Sequence, residues 1–149
     1  PGLACLCVDL RHPNSMAHEV GHMIDYHCDH ISEKSSFIEV YDCYASLLKD
    51  AANATEDSAL KERLKGRGKY NLSYYLQATE VFARCFEMYL IRYMKIDNSL
   101  CKPAFGVEYP EDDMLNELIK IFYMNLLETL RKEVPDDKKG RKIPERAAL

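Results

Sequence analysis

Near the start of the chain, the five residues His18-Glu19-Val20-Gly21-His22 have the pattern HExxH. This motif constrains the possible folds and functions of the chain more than any other feature of the sequence. Residues four apart in an α-helix share a face, so both imidazoles can bind one Zn²⁺ with Glu19 beside them. Bound Zn²⁺ lowers the pKa of a water ligand to roughly 7, and a neighbouring carboxylate can then accept its proton. The motif therefore predicts a zinc site that includes His18, Glu19 and His22. The alternative is a surface helix whose two histidines only form hydrogen bonds.

A catalytic zinc ion normally has three protein ligands, and the motif supplies two of them. One source for the third is a histidine shortly after the motif, as in metzincins, which continue HExxHxxGxxH. Here Asp25 takes the glycine position and Cys28 the final histidine position, while His27 and His30 flank it. Without that glycine nothing bends the helix back toward the metal, so this arrangement is not expected.

The other source is a glutamate on a second helix, as in gluzincins, and Glu80 is the natural choice. It lies near the start of a helix predicted over residues 74–95, which is apolar on much of its circumference and therefore expected to be central. Glu80, Arg84 and Glu87 share its remaining face. Arg84 could orient Glu80 or pair with Asp25. The position of Glu80 also has an explanation without a metal, since the helix dipole favours a glutamate in the first turn of any helix.

Length and composition are those of an ordinary globular domain. The 149 residues are 47% apolar and 30% charged, which argues against disorder. The net charge of −4 argues against a general nucleic-acid binder, and no apolar run is long enough to span a membrane. No secretory signal is visible, and the six cysteines form no CxxC pair, so free thiols in a reducing cytoplasm are expected. For Cys5 and Cys7, a metal pair or disulfide bonds remain alternatives.

Apolar spacing predicts a mostly α-helical (α+β) domain over residues 1–133, followed by a polar, flexible tail over 134–149. The apolar run Leu3–Leu10 predicts one strand. Besides the helix at 74–95, helices are predicted at about 16–29, at about 37–52, after a cap at Thr55 or Asp57, and from about 111 to 133. An extended loop over 96–110 precedes the last helix.

The segment ATEVFARCFEMY, residues 78–89, resembles the signature E-hydrophobic-F-A-R-x-F-E-x-Y of the large polyvalent protein-associated domain. This zincin-like family occurs in phage and conjugative-element proteins. Its members pair the signature with an upstream HExxH-type helix, here HEVGHMIDYH, and often have a Tyr-Pro ahead of a final helix, here Tyr109-Pro110. The resemblance spans about residues 15–133.

The resemblance implies a zincin-like fold in which the HExxH helix packs on the helix that bears the glutamate. It implies Zn²⁺ bound by His18, His22 and Glu80, with Glu19 as general base. Tyr74 or Tyr75, just upstream of Glu80, could donate a hydrogen bond to a developing oxyanion, with packing in the core as the alternative role.

Two functions follow as hypotheses. The first is a zinc metallopeptidase that acts on a peptide or protein substrate in the cytoplasm of a bacterial host. The second is a non-catalytic, zinc-stabilised interaction domain of a phage or mobile-element protein. A structural zinc normally has four protein ligands, so a fourth ligand from His27, His30 or Cys28 would favour the second hypothesis. Zincins usually bind peptide along an edge strand, and with only one strand predicted the sequence leaves the substrate groove undefined.

Overall fold

The structure is a computed structural model that describes residues 6, 8, 11–103 and 105–133. These residues form six α-helices: α1 (Met16–His27), α2 (Ile38–Ala54), α3 (Ser58–Lys65), α4 (Leu72–Tyr75), α5 (Ala78–Met88) and α6 (Asp113–Glu133). Short 3-10 turns lie at Pro13–Ser15, Ile31–Glu33 and Ser35–Phe37. Within the described ranges the only β-type pairing is an isolated bridge between Asn98 and Cys101. The prediction of a mostly α-helical chain is confirmed.

Two predicted segments fall where the structure gives no description. The strand predicted over Leu3–Leu10 lies outside the described residues except for Leu6 and Val8, and Cys5 and Cys7 lie outside them as well. The polar tail predicted over 134–149 is also outside them. Among the residues that are described, no helix is both long enough and apolar enough to cross a bilayer.

Helix α5 is the centre of the packing, as its apolar circumference predicts. Every residue from Glu80 to Met88 is buried. The apolar faces of α2 and α6 pack on it, so these two helices complete the core around Tyr44, Phe82 and Tyr123. Phe82 and Phe122 each pack against Phe37, against Tyr123 and against each other, with ring centroids 5.0 to 6.1 Å apart. Each such aromatic pair contributes about 0.5–1.5 kcal/mol beyond its buried area.

The helix predicted as continuous over 74–95 is interrupted before α5. The side chain of Asn71 accepts a hydrogen bond from the backbone N–H of Tyr74 and caps the single turn of α4. The hydroxyl of Tyr41 donates to the carbonyl oxygen of Leu76 at 2.9 Å, and Gln77 is extended with ψ 133°. Since a tertiary contact satisfies that carbonyl, the chain turns there and α5 starts afresh at Ala78.

The far end of α5 widens into a π-helical turn, Tyr89–Tyr93. From this turn the guanidinium of Arg92 donates to the carbonyl oxygens of Tyr109 at 3.0 Å and Pro110 at 2.7 Å, and to Asn116 Oδ1 at 3.0 Å. One arginine therefore ties the end of the 96–110 loop both to α5 and to the start of α6.

Polar caps at two helix starts agree with the predicted boundaries. Of the two caps considered for α3, the structure uses Asp57, whose carboxylate accepts from the backbone N–H groups of Ala59 and Leu60. At the start of α6, Asp112 Oδ1 accepts from the backbone N–H of Leu115 at 2.8 Å. Each such cap typically stabilises its helix by about 1 kcal/mol.

Candidate metal centre

Gly21 allows α1 to lie directly on α5. A Cβ atom at this position would be 2.8 Å from Ala83 Cα and 3.2 Å from Ala83 Cβ, closer than carbon atoms pack. Both residues are buried. A glycine inside α1 costs about 1 kcal/mol of helix stability relative to alanine. The close contact with Ala83 explains why a glycine occupies position 21. The same contact brings the face of α1 that bears both histidines onto α5, the helix that bears Glu80.

The contact between the two helices brings together three side chains that can bind a metal. The Nε2 atoms of His18 and His22 are 3.1 Å apart. Glu80 reaches both rings, with Oε2 at 3.3 Å from His18 Nε2 and Oε1 at 3.5 Å from His22 Nε2. Among the described residues, these three are the only group of at least three His, Cys, Asp or Glu side chains whose ligand atoms converge in this way.

The distances and the donor set fit a zinc ion. Zinc binds nitrogen and oxygen ligands at about 2.0–2.1 Å with tetrahedral angles, which places neighbouring ligand atoms about 3.3 Å apart. The two imidazole nitrogens are 3.1 Å apart, and each has one Glu80 oxygen near that distance, Oε2 at 3.3 Å from His18 and Oε1 at 3.5 Å from His22. With one ligand atom taken from each residue, all three lie within 4.8 Å of one another. Two imidazoles and one carboxylate are also the ligand set of several catalytic zinc sites. The cluster is more exposed on the His22 side, where 29% of the side chain is accessible, against 16% for His18.

In the metal-free protein His18 and Glu80 hold each other in charged form. Burial would lower the pKa of His18, but hydrogen bonds to Glu80 and Glu87 outweigh it and raise that pKa to about 9. Burial would raise the pKa of Glu80, yet the hydrogen bonds to both histidines and the charge of Arg84 hold it well below its ordinary value. The site therefore keeps its carboxylate ionised, as a metal ligand must be.

Arg84 fixes the orientation of Glu80. It is buried and donates through Nη2 to Glu80 Oε2 at 2.8 Å, while Nη1 donates to the carbonyl oxygens of Glu80 at 3.2 Å and Tyr75 at 3.4 Å. The guanidinium also lies 4.7 Å from the centre of the Tyr75 ring. Of the two partners considered for Arg84 from the sequence, the structure shows Glu80.

Asp25 does not pair with Arg84, and the structure gives it a different environment. It is buried, and its two carboxylate oxygens accept from the backbone N–H and the hydroxyl of Ser32, both at 2.8 Å. Asp25 lies two turns after His18 on α1, and these bonds tie α1 to the 3-10 turn that follows. The observed contacts of Asp25 therefore connect these two elements, and its predicted place near the metal stays a prediction.

The two tyrosines before Glu80 occupy different environments. Tyr74 is partly buried, and burial together with a hydrogen bond to the Glu80 carboxylate raises the pKa of its phenol to about 12. Tyr75 is buried in the core, where burial raises its pKa. Only Tyr74 has its phenol beside the cluster, so of the two it is the one placed to donate a hydrogen bond there.

Glu19 lies in the first turn of α1 and is partly buried. No described residue holds its carboxylate in a hydrogen bond or an ion pair. On a helix it is displaced by about 100° from His18, so it lies beside the pair of histidines rather than between them. The carboxylate is therefore available to a small molecule bound next to the cluster.

One residue outside the predicted site, Glu87, contacts it, and a second, Tyr109, contacts Glu87. Glu87 is buried, and its Oε2 lies 3.0 Å from His18 Nδ1. The hydroxyl of Tyr109 donates to the same oxygen at 2.8 Å. The sequence contained a signal for Glu87, because it shares a face of a buried helix with Glu80 and Arg84, and buried charges need partners. The signal for Tyr109 was the Tyr109-Pro110 pair of the family resemblance, which did not indicate a contact with Glu87.

The three residues considered as additional ligands near the motif do not join the cluster. His27 and His30 are exposed, and each ring packs against Tyr26, with centroids 5.8 Å apart. Cys28, at the end of α1, is partly buried and does not belong to the converging group. Among the described residues, the converging group is therefore His18, His22 and Glu80.

Comparison with protein-family models, curated proteins and solved structures gave no significant match for this chain. The similarity to the large polyvalent protein-associated domain therefore remains a prediction from the sequence.

Proposed function

We propose that this chain is a zinc-dependent peptide hydrolase domain with a zincin-like arrangement of α1 and α5. The supporting observation is that three side chains of the types that bind zinc converge from two helices that are distant in sequence, with one ligand atom of each within 4.8 Å of the others. His18, His22 and Glu80 would hold the ion. When bound, zinc supplies a Lewis acid for a carbonyl oxygen and a water molecule of lowered pKa.

The remaining roles belong to side chains around the cluster. Glu19, which no described residue engages, would accept a proton from the attacking water and pass it to the leaving amine. Arg84 would keep the Glu80 carboxylate facing α1 through its 2.8 Å hydrogen bond. Tyr74 has a phenol that stays protonated at neutral pH, since its pKa is about 12, and would donate a hydrogen bond to a substrate oxygen.

The decisive experiment separates zinc binding from turnover. Zinc content of the purified protein is measured by mass spectrometry, and a peptide library is digested in parallel. Glu19→Gln should retain zinc and lose at least about a hundredfold in hydrolysis, the scale of a general-base contribution. Glu39→Gln is the matched control, because Glu39 occupies the first turn of α2 and is exposed. Hydrolysis that persists in Glu19→Gln would remove Glu19 as the base.

A second candidate function is a zinc-stabilised interaction domain without catalysis. Three large apolar side chains on α6, Met114, Ile121 and Met124, are 68%, 50% and 43% exposed. Their spacing of seven and three residues places them on one face of the helix. This stripe would suit a protein partner. The interaction domain is supported if the protein binds zinc stoichiometrically, cleaves no peptide in the library, and unfolds when a chelator is added.

The substrate class and the location are parts of the same proposal. A peptide or protein substrate follows from the zincin-like ligand set. A reducing compartment, the cytoplasm of a bacterial host, agrees with the free thiols of Cys43, Cys85 and Cys101.

A further inference from the structure

Glu87 contacts the cluster through His18, and the proposed reaction does not use it. Its side chain is 7% exposed and projects from α5 on the face that bears Glu80. A carboxylate this deeply buried is costly unless it is fully hydrogen-bonded. The described partners of this carboxylate are His18 Nδ1 and the Tyr109 hydroxyl, both on Oε2.

We propose that Glu87, held by Tyr109, is a positioning residue that fixes the ring of His18 for metal binding. A histidine must be neutral to bind a metal. Because Glu87 Oε2 accepts from Nδ1–H, the proton that His18 keeps in its neutral form is the one on Nδ1. The lone pair of the ring is then on Nε2, the nitrogen that faces His22 and Glu80. A metal-binding histidine commonly donates its other N–H to a carboxylate, which orients the ring and makes it a stronger ligand.

Tyr109 determines which way the Glu87 carboxylate points. Burial and the neighbouring Glu87 raise the pKa of Tyr109, so its hydroxyl remains a donor. Its backbone is held by Arg92, which donates to the carbonyl oxygen of Tyr109. The end of the 96–110 loop is therefore connected through Tyr109 and Glu87 to one metal ligand. This inference rests on the proposed function for its use of zinc, whereas the hydrogen bond itself can be tested without zinc.

The first measurement is zinc affinity, by competition of the protein with a chromophoric chelator for Zn²⁺. Glu87→Leu should weaken affinity by about 10–100-fold, as for other outer-shell carboxylates. Glu87→Gln keeps an oxygen acceptor but loses the charge, so its loss should be smaller, and Tyr109→Phe should also lose less than Glu87→Leu. Glu117→Gln and Glu117→Leu are controls, because Glu117 is exposed and pairs with Lys120 on α6. Circular dichroism confirms that each variant is folded.

The second measurement is the ¹H–¹⁵N spectrum of the His18 ring in metal-free protein. A downfield Nδ1–H signal is expected in the wild type and in Glu87→Gln, and it should disappear in Glu87→Leu. Wild-type zinc affinity in folded Glu87 variants would overturn the proposal, as would absence of the Nδ1–H signal from the metal-free wild type. If the wild type binds no zinc but shows the signal, the proposed function fails while the hydrogen bond to Glu87 stands.

Discussion

Replacing Gly21 by alanine should destabilise the protein, although the same change stabilises most helices. In an isolated helix, alanine is more favourable than glycine by about 1 kcal/mol. Here the new Cβ would lie 2.8 Å from Ala83 Cα, whereas carbon atoms in contact prefer about 3.5–4.0 Å. The neighbour is a backbone atom and cannot rotate away, so α1 must move off α5 by about 1 Å.

The magnitude follows from the two opposing effects. Overpacking of this kind costs about 1–3 kcal/mol, and a backbone contact belongs at the upper end of that range. After subtracting the gain in helix propensity, Gly21→Ala should lower the free energy of unfolding by about 2 kcal/mol. For a chain of this length that corresponds to a midpoint temperature lower by about 4–8 °C. Metal sites tolerate deviations of only about 0.2 Å in ligand distance, so zinc affinity should fall as well.

Urea unfolding followed by circular dichroism, with and without zinc, measures both effects. Gly68→Ala is the control, because a Cβ at Gly68 would have no atom within 4 Å. It should change the free energy of unfolding by less than about 0.5 kcal/mol. If Gly21→Ala raised stability by about 1 kcal/mol, helix propensity alone would be acting. The close contact between α1 and α5, and the cluster that depends on it, would then be refuted.

Two further predictions concern buried charges. Asp25→Ala should lower the free energy of unfolding by about 2–3 kcal/mol, since the buried N–H of Ser32 loses a charged acceptor, while zinc affinity stays unchanged in the chelator competition. In zinc-free protein, the raised pKa of His18 means that the folded state binds this proton more tightly than the unfolded chain does. The resulting stability is fully present below pH 6.5 and should be lost as the pH rises through about 9, measured by urea unfolding in chelator between pH 6 and 10. The lowered pKa of Glu80 acts in the opposite direction, so its contribution is present above pH 4.5 and is lost in acid.

Helical periodicity was sufficient to predict most of the fold. Tyr44 and Leu48 on α2, and Leu115 and Ile119 on α6, recur at helical spacing, and all four are buried. The break before α5 could not be predicted in this way, because no proline or glycine marks it. It depends on the hydroxyl of Tyr41, a residue distant in sequence that satisfies the carbonyl of Leu76.

For the cluster, the sequence determined the spacing within α1 but not the partner on α5. His18 and His22 share a face in any α-helix, whereas a first-turn glutamate such as Glu80 is also favoured by the helix dipole. Only the packing of α1 on α5 distinguishes a Glu80 that can serve as a metal ligand from one that is favoured by the helix dipole alone. Gly21 was the one local indication of that packing, since a glycine inside a helix suggests a close neighbour.

Arg92 holds the end of the 96–110 loop from within the π-helical turn Tyr89–Tyr93. This attachment depends on the number of residues in the turn more than on which residues they are. A π turn accommodates one residue more than an α turn of the same rise. Deleting a single residue here would restore ordinary α geometry and rotate Arg92 by about 100° around the axis. The guanidinium would then leave the carbonyl oxygens of Tyr109 and Pro110, even though every side chain of the loop was unchanged. Insertions and deletions in this turn should therefore be tolerated far less well than substitutions at its exposed positions.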